Sequence, residues 1–357
     1  MVKSTMRTTA AAATTPTGSA GHDGSGPLHG VVPPMVTPLD ARQRVDADGL
    51  ERLVEHILGG GVHALFILGT TGEAAALDDD VRRDLVKRTC KLVAGRVPVL
   101  VGVTSTRVAE SVRMARYAAD CGASAAVVSA PFYVPLEQQE LVDYVESVVT
   151  QQPLPCFLYN IPQLTKTAYE PATVLRLSEL PNVIGMKDSS GDLGYLQQLQ
   201  KYVRRPDWSF FVGTESQLAD AVMSGSNGCV GGGANLDPKL FVSLYAAARA
   251  GDLERIAALQ ARLMMLDRIY RLASGTGSII RGLKCALRCL GVCGDHMGAP
   301  LRACTAAERR TIEGYLEELG LLTSPATAVA SAGASAVANP ARGSVAATLT
   351  ARAATAL

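Results

Sequence analysis

Eight short apolar runs, mostly 26 to 34 residues apart, constrain what this chain can fold into more than any other feature. They occupy residues 31–37, 64–68, 97–103, 125–130, 156–160, 183–187, 209–213 and 228–232. Each is continuously hydrophobic rather than alternating, as a strand covered on both faces must be. Most intervening segments repeat apolar residues at helical spacing. The clearest is Leu50, Leu53, Val54, Ile57 and Leu58, with an N-cap at Asp46 or Asp48 and a stop at Gly59-Gly60-Gly61. Repeated β–α units of this length predict a parallel sheet with right-handed crossovers, and eight of them predict a closed (β/α)8 barrel. The alternative is an open doubly wound sheet. That fold ordinarily carries a GxGxxG turn after its first strand, and none is present.

The 357 residues divide by composition. Residues 1–26 and 324–357 are rich in Ala, Thr, Gly and Ser without a spaced apolar stripe, so both read as disordered tails. The first tail carries Lys3 and Arg7 before any acid, a transit-like feature, but no signal-peptide core; an extension without function is the preferred reading. Residues 27–235 hold the barrel. Residues 236–323 are expected to add helices near 238–250, 252–273, 277–290 and 306–319, a C-terminal helical extension packed on the barrel. A net charge of +1 gives no electrostatic steering toward nucleic acid or an anionic membrane. No apolar run approaches the ~18 residues of a membrane span. Eight cysteines without a CxxC pair suit a reducing, cytoplasmic setting.

The chemistry of a barrel enzyme sits at the carboxyl ends of its strands. The sixth run ends in Lys187, directly after Val183, Ile184 and Met186. Lysine is almost never fully buried without a reason. Either the strand ends there and the ammonium reaches water, or a desolvated amine is placed to attack a carbonyl. The second run ends in Gly69-Thr70-Thr71-Gly72-Glu73, whose hydroxyls and backbone N–H groups suit an anion such as a carboxylate. The fourth delivers Tyr133 and the fifth Tyr159. A buried tyrosine usually packs with its hydroxyl satisfied. A lysine, two tyrosines and a Thr-Thr pair at four strand ends nevertheless form a set: nucleophile, proton relay and carboxylate holder for a Schiff-base aldolase acting on a 2-oxo acid.

Four motifs, in this order, carry a resemblance: Gly69-Thr70-Thr71-Gly72-Glu73, Pro131-Phe132-Tyr133, Tyr159-Asn160-Ile161-Pro162 and Gly185-Met186-Lys187-Asp188-Ser189-Ser190-Gly191-Asp192. From about residue 30 to residue 321 the chain resembles the dihydrodipicolinate synthase / N-acetylneuraminate lyase family of class I pyruvate-dependent aldolases. The resemblance implies a TIM barrel, a Schiff base on Lys187, Tyr159 as catalytic tyrosine and Tyr133 as a relay tyrosine, which in synthase members works across a subunit interface. It implies that Thr70 and Thr71 bind the pyruvate carboxylate, with Gly213 and the Val230 backbone carbonyl on the substrate side. No cofactor and no metal are implied. Pyruvate and an aldehyde are the implied ligands, and a homotetramer, as a dimer of dimers, the implied assembly.

The substrate is less determined. Synthase members usually carry an arginine two residues after the proline of the Tyr-Asn-x-Pro motif, where it binds the carboxylate of aspartate semialdehyde. Leu164 stands there, and Lys166 nearby does not reproduce a bidentate guanidinium. Sialic-acid lyases share Tyr159-Asn160-Ile161-Pro162 and a residue like Leu164, but usually have Ser-Thr in place of Thr70-Thr71. A sugar-acid or sialic-acid aldolase therefore ranks above the synthase. A non-catalytic 2-oxo-acid-binding barrel and a phosphate-binding barrel using Gly231-Gly232-Gly233 are the readings of other classes. Cys285, Cys289 and Cys293 fall at i, i+4 and i+8, but Gly291 and Gly294 should end the helix before Cys293, so the thiols read as helix-packing residues. Asp78-Asp79-Asp80 reads as a helix start.

Overall fold

A computed structural model of the chain describes residues 26–272 and 277–322. Eight parallel strands are present: β1 (Gly30–Val31), β2 (Leu65–Ile67), β3 (Val99–Gly102), β4 (Ala125–Ser129), β5 (Cys156–Asn160), β6 (Val183–Asp188), β7 (Ser209–Val212) and β8 (Gly228–Cys229). The helices are α1 (Ala47–Leu58), α2 (Asp79–Val93), α3 (Val108–Asp120), α4 (Gln138–Val149), α5 (Pro162–Thr165), α6 (Pro171–Leu177), α7 (Leu193–Tyr202), α8 (Leu218–Met223), α9 (Pro238–Ala250), α10 (Leu253–Asp267), α11 (Gly277–Cys289) and α12 (Ala306–Glu318).

Strands β2 to β7 each pair in parallel with the next in sequence, and β1 pairs with β8. The ring closes where Phe66 in β2 exchanges backbone hydrogen bonds with the segment after β1: Met35 N donates to Phe66 O (2.8 Å) and Phe66 N to Pro33 O (3.0 Å). The first apolar run therefore yields a short strand. Pro33 and Pro34 have no N–H to give a ladder. Asn235 ties the same segment to the turn after β8: its Oδ1 accepts from Val36 N (3.1 Å), and its Nδ2 donates to Pro34 O (3.0 Å) and Gly232 O (2.7 Å).

The continuous apolar runs split into two layers, as strand alternation requires. Val32, Phe66, Leu100, Val127, Phe157, Tyr159, Phe211 and Val230 fill the barrel. Val31, Ile67, Val101, Ala126, Leu158, Met186 and Val212 face the helices. Helix α1 shows how the outer ring attaches. Asp46 caps it by accepting from Gly49 N (3.1 Å), and Leu50, Leu53, Val54 and Ile57 are buried, as the spacing predicts. Burying side chains of this size contributes roughly 1.5–3 kcal/mol each. Helix α2 begins after Asp78, as its acidic start suggests.

Helix α9 packs on α8 and β1 and fills the eighth helical place of the ring, so the extension proper comprises α10, α11 and α12. Helix α11 ends at Cys289, and Gly291, at φ +71°, turns the chain so that Cys293 lies off the helix. The two expected tails lie outside the described residues, apart from Gly26.

Candidate active site

Strand register brings the candidate lysine and tyrosine together. Tyr159 of β5 lies directly opposite Lys187 of β6, both inside the barrel, while the next pair, Asn160 and Asp188, faces outward. That outward pair fixes the strand ends: Asn160 Nδ2 donates to Asp188 Oδ1 (2.7 Å), and Ser190 Oγ to Asp188 Oδ2 (2.8 Å). Below, Arg205 Nη1 donates to the carbonyls of Ser178, Leu180 and Val183 (2.8, 3.1 and 2.7 Å), anchoring the start of β6.

Lys187 is 7% exposed, and its Nζ stands 4.0 Å from the Tyr159 ring centroid and 5.3 Å from that of Phe66. Burial by itself pushes the Tyr159 phenol up. The Lys187 ammonium, with hydrogen bonds from Thr70, Lys187 and Ser189, outweighs burial, and the net direction is down. A phenol so placed gives up its proton more easily than a free tyrosine, beside an amine that must lose one to become a nucleophile.

Tyr159 and Thr70 line a cavity of about 560 Å³ that opens above them and is walled further out by Leu77, Phe132, Ile161, Leu164, Ile280 and Leu301. Lys187 lies just beneath, over a small apolar space lined by Phe66, Val127, Phe211 and Val230. Thr71 diverges from Thr70. Its Oγ1 points toward the turn after β8, 4.0 Å from where a Cβ on Gly232 would lie. Gly213 packs against the lysine stem, since a Cβ there would stand 3.1 Å from Lys187 Cε and 2.0 Å from Ser189 Oγ. The sequence set Gly213 on the substrate side; its geometry bears on the room allowed to Lys187 and Ser189.

Tyr133 is not brought to the others in the single chain. It is 89% exposed, has a φ of +87° and stands at the tip of the loop after β4 beside Phe132 and Val134. Leu164 does line the cavity, while Lys166 is exposed and donates to Gln163 O (3.3 Å). Three neighbours were not singled out from sequence. Ser189, in the lysine motif, reaches the Tyr159 hydroxyl. Glu215, after β7, accepts from Gly233 N (2.9 Å) and from the Tyr270 hydroxyl (3.1 Å), and desolvation pushes its carboxyl up to about 7. Lys284 of α11 is fully buried against Glu73. It occupies the apolar stripe Ile280, Leu283, Leu287, and that misplaced charge is the signal that could have revealed it.

A closed parallel barrel with a buried lysine–tyrosine pair and a Thr-Thr turn at its carboxyl end defines an aldolase or lyase of the TIM-barrel class. The comparisons then place it: residues 27–319 match the model of the dihydrodipicolinate synthetase family, and the chain belongs to that family. A probable 2-dehydro-3-deoxy-D-pentonate aldolase of Escherichia coli is 33% identical over 266 residues, 74% of this chain and 87% of that relative. The structure of dihydrodipicolinate synthase from Bacteroides thetaiotaomicron superposes with a TM-score of 0.80 at 44% identity, covering 82% of this chain and 99% of that one. A prophage protein of the same family from E. coli K12, solved with pyruvate, gives a TM-score of 0.78 at 28% identity, covering 82% and 99%.

Proposed function

We propose that the protein is a class I aldolase that forms a Schiff base between Lys187 and a pyruvate-type 2-oxo acid, cleaving or condensing a sugar-acid type substrate. The observation that carries this reading is the buried Lys187–Tyr159 pair at adjacent strand ends, with Thr70 and Ser189 on the same phenol. Pyruvate in the related E. coli prophage protein supports the choice of oxo acid.

The steps follow from the groups present. The Lys187 amine, its proton passed to Tyr159, attacks C2 of the oxo acid. Tyr159 shuttles one proton from the carbinolamine nitrogen to its oxygen and then delivers the first proton there, and water leaves to give an iminium. The iminium accepts the electron pair of the C3–C4 bond as it breaks, leaving an enamine of pyruvate and releasing an aldehyde. Tyr159 takes the proton from the C4 hydroxyl in that step, and Thr70 and Thr71 hold the carboxylate.

Leu164 in the cavity wall, and the pentonate-aldolase relative, support a sugar-acid type partner. A second reading, condensation of pyruvate with aspartate semialdehyde, is favoured by the similarity to the Bacteroides synthase. The exposed apolar tip Phe132-Tyr133-Val134 supports an oligomer, in the family's pattern a homotetramer, in which Tyr133 meets a neighbouring subunit.

The test is intact-protein mass spectrometry after incubation with pyruvate and borohydride, with the modified lysine mapped. One adduct on Lys187 is expected. Turnover with no adduct, or with an adduct on another lysine, refutes the mechanism. A screen for pyruvate release from keto-deoxy sugar acids and sialic acid, run beside the synthase reaction, separates the two substrate readings.

A further inference from the structure

The Gly69–Gly72 turn is flanked by two non-glycine residues in the left-handed region, Leu68 at φ +56° and Glu73 at φ +59°. Such conformations persist only where the surroundings over-determine them. Inside the barrel, Thr37 Oγ1 donates to Gly72 O (2.7 Å). Two further anchors come from the extension, more than 200 residues away. Glu73 Oε2 accepts from Gly298 N (2.7 Å), and Glu73 Oε1 pairs with Lys284 Nζ. Lys284 in turn donates to His296 O (2.6 Å). Both side chains of the pair have zero exposure.

A buried ion pair is a poor device for stability, because desolvating two charges offsets most of their attraction. Burial accordingly pushes the Lys284 amine down, and Glu73 only partly opposes it. What such a pair does supply is direction: fixed bonds between a helix and a turn. Helix α11 is also part of the site wall, since Ile280 lines the cavity beside Thr70.

We infer that Lys284 is a positioning residue for the reaction: through Glu73 it holds the Thr70-Thr71 turn in the conformation that receives the oxo-acid carboxylate. The inference rests on the proposed role of Thr70 and Thr71. The C-terminal extension is then part of the substrate site, although it supplies no group to the reacting atoms.

The experiment measures the pyruvate concentration for half-maximal borohydride trapping, the trapping rate at saturation, and Tm. The variants are Lys284→Met, Glu73→Gln/Lys284→Met, and Thr70→Ala/Thr71→Ala. Lys284→Met is expected to raise half-saturating pyruvate by about 10- to 100-fold, the scale of a small misplacement, with the saturated rate close to wild type. The double variant removes both buried charges. It should regain the Tm lost by Lys284→Met but not the pyruvate affinity. Wild-type pyruvate dependence in either folded variant, or affinity returning together with Tm, overturns the inference. If Lys284→Met does not fold, the double variant decides by the same criterion. Weakened pyruvate binding in the threonine variant, with none in the lysine variants, removes this inference alone. Wild-type saturation in the threonine variant removes the carboxylate reading beneath it.

Discussion

Gly213→Ala is the most informative single methyl that can be added to this site. The glycine follows β7, and its N–H donates to Asp188 O (2.6 Å), so its backbone has little freedom to retreat. The added carbon would lie 2.0 Å from Ser189 Oγ, 3.1 Å from Ser189 Cβ and 3.1 Å from Lys187 Cε. The first distance forces the Ser189 hydroxyl to rotate away from Tyr159, which costs about 1 kcal/mol of hydrogen bonding. The others press on Ser189 Cβ and on the lysine stem, and overpacking of this kind costs roughly 1–3 kcal/mol. If most of this falls on the transition state for imine formation, trapping should slow about 10- to 100-fold, since ~1.4 kcal/mol is a factor of ten. Tm should fall by a few degrees only. The assay is time-resolved borohydride trapping with saturating pyruvate, read by intact mass. Ser189→Gly removes two of the three contacts, including the closest, and leaves only the one to Lys187 Cε, so Gly213→Ala should slow Ser189→Gly protein less than wild type. Wild-type trapping by Gly213→Ala, or equal slowing in both backgrounds, refutes the claim that this glycine keeps room for Lys187 and Ser189.

Tyr159→Phe should still form the Lys187 adduct slowly while turnover drops about 10²- to 10⁴-fold, measured as pyruvate release. Lys187→Arg should abolish both, because a guanidinium stays protonated. Leu164→Arg should improve condensation of pyruvate with aspartate semialdehyde; wild-type activity typical of a dedicated synthase would place the function with the second reading instead. Glu215, whose ordinary value is 4.5, is held at about 7, so its contribution to stability is complete below pH 4.5 and is lost as pH rises through 7. That loss is on the order of 3 kcal/mol. Glu215→Gln should therefore gain Tm over wild type at pH 8 but not at pH 4.5, and a pH-independent difference would contradict this assignment.

The barrel was legible because parallel strands buried on both faces leave continuous runs, and Tyr159 and Lys187 fall one residue before the ends of β5 and β6. The first run overstated its strand, since Pro33 and Pro34 interrupt the ladder. The Lys187–Tyr159 pairing followed from strand order, but the role of Gly213 did not. Its close contact with Ser189 follows from the β6–β7 register, which pairs Asp188 with Val212 and which neither run encodes by itself. Glu73 was in view as part of a motif, yet its partner lies 211 positions later in α11. Local periodicity carries no information about which distant helix will reach a turn. Tyr133 is the converse case: motif and strand end were plain, but the chain alone leaves its side chain in solvent.

The Asn235 clamp has a consequence for how the molecule is made. It joins residues 199 and 201 positions apart, and the strand it secures to β1 is only Gly228–Cys229. At about 5–20 residues per second, the ribosome needs roughly 10–40 s to deliver that clamp after the first strand has emerged. Through this interval the growing sheet has an unsealed edge, and its aromatic inner layer of Phe66, Phe157 and Phe211 has no roof. Closure is thus a late, long-range step in folding, paced by translation and exposed to aggregation until Asn235 arrives.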